Sequence, residues 1–182
     1  TPASNILTPD DSMTGQLPSG PVVVYDDDSF YIGGLVAEKI SLAGQAVTLV
    51  TPEDVVSDWC DYTSERFYVQ KRLLELGVTL QTGHQLISYD GQEVRIANGY
   101  TDQERTLGAN ALVLVTARQP NDALYQTLKE RLQQDSPAGA PILHRIGDCD
   151  APAIIAAAVY AGHRFARELD TDTDNRQQPR YE

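Results

Sequence analysis

Val22-Val23-Val24-Tyr25-Asp26-Asp27-Asp28-Ser29-Phe30-Tyr31 is the stretch on which the fold turns. A β-branched apolar run stops at three consecutive aspartates. An amphipathic segment follows over residues 31–43, placing Ile32, Val36, Ile40 and Ala43 on one face with Glu38 and Lys39 turned away. Gly44 ends it, as glycine commonly ends helices, and a second apolar run begins at Val47. Strand, helix and parallel strand make a βαβ unit, the building block of an α/β nucleotide-binding sheet. In such a unit the first turn carries glycines, so that the backbone can approach a pyrophosphate. Here the turn carries carboxylates.

Outward from that unit, residues 1–20 are rich in Pro, Ser, Thr, Asp and Gly and read as a linker or a strip lying on another domain. Within them, Leu7-Thr8-Pro9-Asp10-Asp11 suits the start of a short helical turn. The first strand, residues 21–25, is apolar on both faces, as expected of a central parallel strand covered by helices. After the second strand (46–51) and an irregular stretch, a helix is expected over 63–76 with Val69, Leu73 and Leu76 buried, then a third strand at 78–81. The pattern next changes to strand period. Residues 84–89, a turn at Asp90-Gly91 and residues 93–97 form a hairpin, which 99–105 extends into an antiparallel meander. Residues 111–115 are another apolar strand. The loop Thr116-Ala117-Arg118-Gln119-Pro120-Asn121 leads into a helix to about residue 134, striped by Leu124, Leu128 and Leu132, with Asn121 as N-cap. Residues 136–141 are a hinge-like break and 142–146 a last strand. Gly147-Asp148-Cys149-Asp150-Ala151-Pro152 then enters a helix whose buried positions are Ile154, Ile155, Ala158, Val159, Phe165 and Leu169, and the tail from Asp170 is expected to fray.

Composition bounds the function. The chain has 182 residues, 41% of them apolar, and a formal charge of −12. That length fits one domain, or one domain and pieces of another. Nucleic acid and anionic membrane both require a basic footprint, which is missing. Cys60 and Cys149 stand alone, reading as reduced thiols of a cytoplasmic protein. Nothing resembles a membrane span or a signal peptide. The chain opens on Thr1 and its sole methionine is Met13, so a processed piece of something longer is expected.

The order of elements, with a meander as crossover and a strand ending in Thr116-Ala117-Arg118-Gln119-Pro120-Asn121, resembles the NAD(P)H-binding domain of two-dinucleotide-fold flavoprotein reductases. Their motif Ala-Thr-Gly-Arg-x-Pro-Asn is matched with Ala117 in place of the glycine. Val-Val-Val-Tyr-Asp-Asp-Asp, preceded by Leu-Thr-Pro-Asp-Asp and followed by Ala-Glu-Lys-Ile, is similar to the C-terminal region of trimethylamine and histamine dehydrogenases. These are NADH:flavin oxidoreductases related to 2,4-dienoyl-CoA reductase, and the likeness runs from Ile6 to about Leu169. It implies a Rossmann-like FAD/NAD(P)-binding fold in a parent oxidoreductase with an N-terminal barrel holding FMN and an iron–sulfur cluster. None of those catalytic parts lies in this chain, which alone should be inactive. Residues 21–134 would be the NAD(P)-binding-like domain, and residues 1–20 and 141–182 strips of the flavin-like domain. The implied partners are the parent's own barrel, further copies of the parent and an electron-transferring flavoprotein.

Laid over Gly-x-Gly-x-x-Gly, the first turn offers Asp26, Asp28 and Tyr31. The aspartates bring charge of the wrong sign, and Tyr31 is expected to fill the space where helix and strand should approach. Thr51 stands where a carboxylate would bind a ribose. Gly33 and Gly34 come one turn late and read as helix-packing residues. The aspartates are open to three readings: solvated residues favoured at a helix N-terminus, a working NAD(P)H turn despite its composition, or Mg²⁺ ligands of a haloacid-dehalogenase-like phosphatase together with Asp148 and Asp150. The spacing of that last pair is one residue short for the phosphatase, and a placed lysine is missing. Gly147 and Asp148 resemble the family's second flavin motif, implying contact with ADP or FAD; the alternative is a plain strand-to-helix turn with Asp150 as N-cap. Arg118 reads equally as a remnant nucleotide contact or a surface ion pair. His84, His144 and His163 fall in separate elements and read as structural. No nucleophile–base pair and no metal cluster is recognisable.

Overall fold

The computed structural model describes residues 5–15, 19–135 and 141–169; residues 136–140 of the break expected at 136–141, and the tail from Asp170, lie outside them. Two compact units divide the chain, Thr1–Ala117 and Arg118–Glu182. The break falls directly after the last strand of the parallel sheet, ahead of the helix that the sequence reading joined to residues 21–134.

The first unit is built on a five-stranded parallel sheet of order β1-β8-β2-β3-β4, with strands Ile6–Leu7 (β1), Val22–Asp26 (β2), Val47–Val50 (β3), Thr79–Gln81 (β4) and Ala111–Val115 (β8). Between β2 and β3 runs α2, Tyr31–Leu42; between β3 and β4 run a 3₁₀ turn, Asp58–Asp61, and α3, Arg66–Glu75. A separate antiparallel sheet of β5 (His84–Tyr89), β6 (Glu93–Asn98) and β7 (Glu104–Gly108) is the expected meander, its third strand starting later than the pattern suggested.

β2 is central, pairing in parallel with β3 on one side and β8 on the other, and all five of its residues are buried. Alternation along it explains why. Val22 and Val24 join Val36, Ile40, Leu49, Leu73 and Val113 in a core under α2 and α3. Val23 and Tyr25 face the opposite core with Val50, Val94, Ile96 and Leu112. The second face is thus covered by the meander rather than by helices, correcting the expectation for a strand buried on both sides.

Two local features of the first unit departed from the sequence reading. Residues 6 and 7, in the stretch read as linker or strip, form an edge strand on β8, and the short helical turn expected there is α1, Pro9–Met13, whose cap is a reciprocal box between Thr8 and Asp11. Ala43, expected on the buried face of α2, is exposed at its C-terminus.

The second unit holds α4, Ala123–Asp135, a 3₁₀ turn at Gly147–Cys149 and α5, Ile155–Glu168. Residues 142–146 do not form a strand: they have no ladder partner among the described residues, and Ile142 is 83% exposed. A strand exists only by virtue of its neighbours' backbone groups. Nor are the apolar positions of α5 buried. Ile154, Ile155, Val159 and Leu169 are all more than half exposed, as is Leu124 of α4, while Ala158, Phe165, Leu128 and Leu132 are half-buried. A helix with an apolar stripe requires a covering layer, and the described residues of this unit do not supply one.

Candidate functional site

The β2–α2 turn is organised by Asp26. It is the last residue of β2 and is 0% exposed, because β3 and β8 flank the strand and α2 begins immediately beyond the turn. Asp27 and Asp28 are exposed. The Asp27 N–H donates to the carbonyl of Val115 at 2.8 Å, carrying the β2–β8 ladder one residue further. The chain then folds back, with Ser29 at φ +57°, so that the N–H groups of Asp28 and Ser29 donate to Asp26 Oδ1 at 3.2 and 3.1 Å. Side-chain acceptance by an aspartate of amides two and three residues on is the Asx-type turn.

The other carboxyl oxygen has no such company. Asp26 Oδ2 is buried and makes no hydrogen bond among the described residues. It lies against the backbone of Gly33 in α2: a Cβ on that glycine would stand 2.2 Å from Oδ2 and 2.7 Å from Asp26 Cβ. Burial is the largest influence on this carboxyl and pushes its pKa up to about 6; the two amide bonds oppose the rise and the charges of Asp28 and Asp27 add to it.

These contacts give Gly33 and Gly34 the helix-packing role expected of them. Close helix–strand approach, the duty of the third glycine in a dinucleotide turn, falls to Gly33 and not to position 31. Gly34 beside it admits α3, since a Cβ there would meet Val69 Cγ1 at 2.9 Å. Tyr31 does not fill the helix–strand space. Its hydroxyl reaches away, 3.0 Å from Thr63 Oγ1 and 2.7 Å from Glu65 Oε2. Thr51, directly after β3, is buried; its hydroxyl accepts the Glu53 N–H at 3.3 Å and its carbonyl the His84 N–H at 3.0 Å. It closes its own turn rather than offering a ribose acceptor.

Two neighbouring features were invisible in the sequence. Ser57 sits at φ +54° with its Oγ buried and unbonded among the described residues. Cys60 is fully buried, and its thiol pKa is raised, mostly by burial and then by the charges of Glu65 and Asp26. An inert structural thiol fits this environment.

In this turn the Asp28 and Ser29 amides are taken by Asp26, and Asp28 adds exposed negative charge. Asp26 does not suit Mg²⁺, which keeps several waters and ideal octahedral geometry, whereas this carboxylate is dry and bound to amides. No group of three or more His, Cys, Asp and Glu that could hold a metal gathers among the described residues.

Gly147 and Asp148 lie in the second unit. Gly147 adopts φ +64°, and its carbonyl accepts the N–H groups of Asp150 and Ala151, each at 2.9 Å. Asp148 is exposed, with Oδ1 3.5 Å from the Ala153 N–H. The N-cap of α5 is Ile154, not Asp150, and no side chain caps this helix; Pro152 lies just ahead of it. Arg145 fixes the turn from behind, bonding Asp122 Oδ2 at 2.6 Å and Asp150 Oδ1 at 3.3 Å while its guanidinium stacks 4.9 Å from the Tyr125 ring. Asp122, not Asn121, precedes α4, its carbonyl accepting the Gln126 N–H. The uncapped N-terminus of this helix leaves amides open to an anion, and beside it stand a left-handed glycine and an exposed carboxylate that meets the Ala153 N–H.

Arg118 is exposed and forms no ion pair among the described residues. His84 Nδ1 lies 2.6 Å from the carbonyl of Thr82, and His144 packs on Phe165. No helix among the described residues is long and apolar enough to cross a membrane.

A parallel sheet of this order, with a meander on one face and a βαβ turn at its centre, defines an α/β protein of the dinucleotide-fold type. No protein-family profile matches the chain. It is 30% identical over 195 aligned residues to the dimethylamine dehydrogenase of Hyphomicrobium sp. (strain x), the match covering 96% of this chain and 26% of that protein. Histamine dehydrogenase from Rhizobium sp. 4-9 superposes with a TM-score of 0.88 at 39% identity, over 98% of this chain and 28% of that one. The 6-hydroxypseudooxynicotine amine oxidase of Pseudomonas geniculata N1 does so with 0.82 at 31%, over 93% and 25%. The fold extends to a 2-naphthoyl-CoA reductase at 18% identity and a TM-score of 0.67. The chain belongs to the trimethylamine/histamine dehydrogenase branch, and it spans about a quarter of the length of these relatives.

Proposed function

We propose that this chain is the C-terminal dinucleotide-fold module of an FMN- and iron–sulfur-containing amine dehydrogenase, architectural at its NAD-like turn and without catalysis of its own. The observation that carries this reading is the buried, amide-bonded Asp26 in the place of a phosphate-binding glycine. The similarity of almost the whole chain to a quarter of each relative supports a module of a larger protein.

In this reading Gly147 and Asp148 contact an adenine nucleotide, ADP or FAD. The uncapped α5 faces its phosphates and Asp148 accepts from its sugar. Arg145 holds the turn in place. The rest of the flavin-like site, and the layer that covers Ile155 and Val159, belong to the remainder of the parent. FMN and the iron–sulfur cluster would supply the redox chemistry in the barrel, with electrons passed to an electron-transferring flavoprotein. The parent is expected to be cytoplasmic and oligomeric.

The test uses the intact protein that carries this chain, captured with an antibody raised against the chain. Its spectrum should show flavin bleached by an amine and not by NADH, and denaturation should release an adenine nucleotide. Bleaching by NADH would replace this reading with that of a working NADH-binding domain, and absence of flavin would remove the family function altogether.

A further inference from the structure

We propose that Asp26 is a resident anion: an intramolecular carboxylate that occupies the anion cradle between β2 and α2, leaving a latent diphosphate site that its removal opens. The inference rests on the reading of the β2–α2 turn as a disused nucleotide turn, and gives the physical means by which it is closed.

Two contacts and an uncapped helix end define the occupancy. The N–H groups of Asp28 and Ser29, which a dinucleotide turn would direct at phosphate oxygens, converge on Asp26 Oδ1. Oδ2 is fully buried without a partner and is directed at the first turn of α2, against Gly33. α2 itself has Phe30 as N-cap with no side-chain cap, and no acidic residue in its first turn. The uncapped end of a twelve-residue helix therefore stands beside a negative charge from the preceding strand, with Oδ2 making no hydrogen bond among the described residues. Gly33 matters on both sides of this contact. A side chain at Gly33 would strike the Asp26 carboxyl, so the cavity against α2 exists because position 33 has no Cβ, and the carboxyl fills it. An orphaned buried oxygen is unfavourable for folding, which makes the position better explained as an anion held at a helix terminus than as a packing residue.

Pyrophosphate binding tests the proposal in three chains: Asp28→Gly, Asp28→Gly with Asp26→Asn, and Asp28→Gly with Asp26→Gly. The common Asp28→Gly change removes the adjacent exposed charge. Isothermal titration with inorganic pyrophosphate should show at least a tenfold gain in affinity for the Asp26→Gly chain over Asp28→Gly alone. Asp26→Asn, which keeps the side-chain volume and the acceptor, should gain less than threefold. Equal gains in both variants, or no gain in a folded Asp26→Gly chain, would overturn the proposal. Should Asp26→Gly not fold, amide hydrogen exchange in the unaltered chain decides: Asp28 and Ser29 should exchange at least tenfold slower than unstructured amides, and exchange at the unstructured rate would refute the occupancy. Tight NADH binding by the unaltered chain would instead sink the disused-turn reading itself.

Discussion

Replacing Asp26 by Asn should change how stability depends on pH in a way set by one buried group. The folded carboxyl has a pKa of about 6 against an ordinary 3.8. The folded state therefore takes up this proton at higher pH than the unfolded chain does. The contribution of neutral Asp26 is fully present below pH 3.8 and is lost as pH rises through about 6. At about 1.4 kcal/mol per pH unit, the interval amounts to a penalty of about 3 kcal/mol carried by the native chain at neutral pH. In Asp26→Asn the acceptor for the Asp28 and Ser29 amides remains, while the amide group placed against Gly33 lacks a partner, a pH-independent deficit of about 1–3 kcal/mol. Other carboxylates titrate alike in both chains and cancel in the difference. Urea unfolding at intervals from pH 4 to pH 7.5 should show the stability of the variant relative to the native chain rising by about 2 kcal/mol across that range, the rest of the change lying below pH 4. A relative stability flat to within about 0.5 kcal/mol would mean that Asp26 is not buried as described, and the reasoning would fail.

Gly33→Ala should destabilise by about 1–3 kcal/mol through its clash with Asp26, despite the better helix propensity of alanine; adding Asp26→Gly should recover most of that loss, and thermal unfolding of the four chains of the cycle reads the coupling. Gly34→Ala should be milder, because the atom it meets is the tip of the Val69 side chain. Leu73→Ala, at 1% exposure in the core under α3, should cost about 2–5 kcal/mol in denaturant unfolding. Aromatic disulfide reagent should label Cys149 promptly and buried Cys60 only on unfolding; equal rates would contradict the burial.

Much of the first unit was legible because its signals are local. The alternation from β2 to β3 through a glycine-ended helix, the Asp90-Gly91 hairpin turn and the apolar run of β8 each follow from periodicity and turn chemistry. What covers a buried strand is not local. Val23 and Tyr25 announce burial on a second face, yet only their contact with Val94 and Ile96 reveals a meander there. The strand expected at 142–146 and the buried stripe of α5 failed for a related reason: both depend on neighbours, and the described residues provide none. The aspartates carry the wrong sign for a phosphate, but Asp26 and Asp28 look alike in sequence. Only the β2–β8 ladder and Gly33 separate the buried anion from the solvated one.

The central claim is that this dinucleotide fold no longer takes a dinucleotide at its β2–α2 turn. NADH titrated into the chain, followed by the fluorescence of the nicotinamide, tests it directly. The expectation is no saturable signal at concentrations up to about 1 mM, the level at which binding would be worth only about 4 kcal/mol. Saturation in the micromolar range, with an affinity that rises on Asp28→Lys and falls on Gly33→Val, would contradict it.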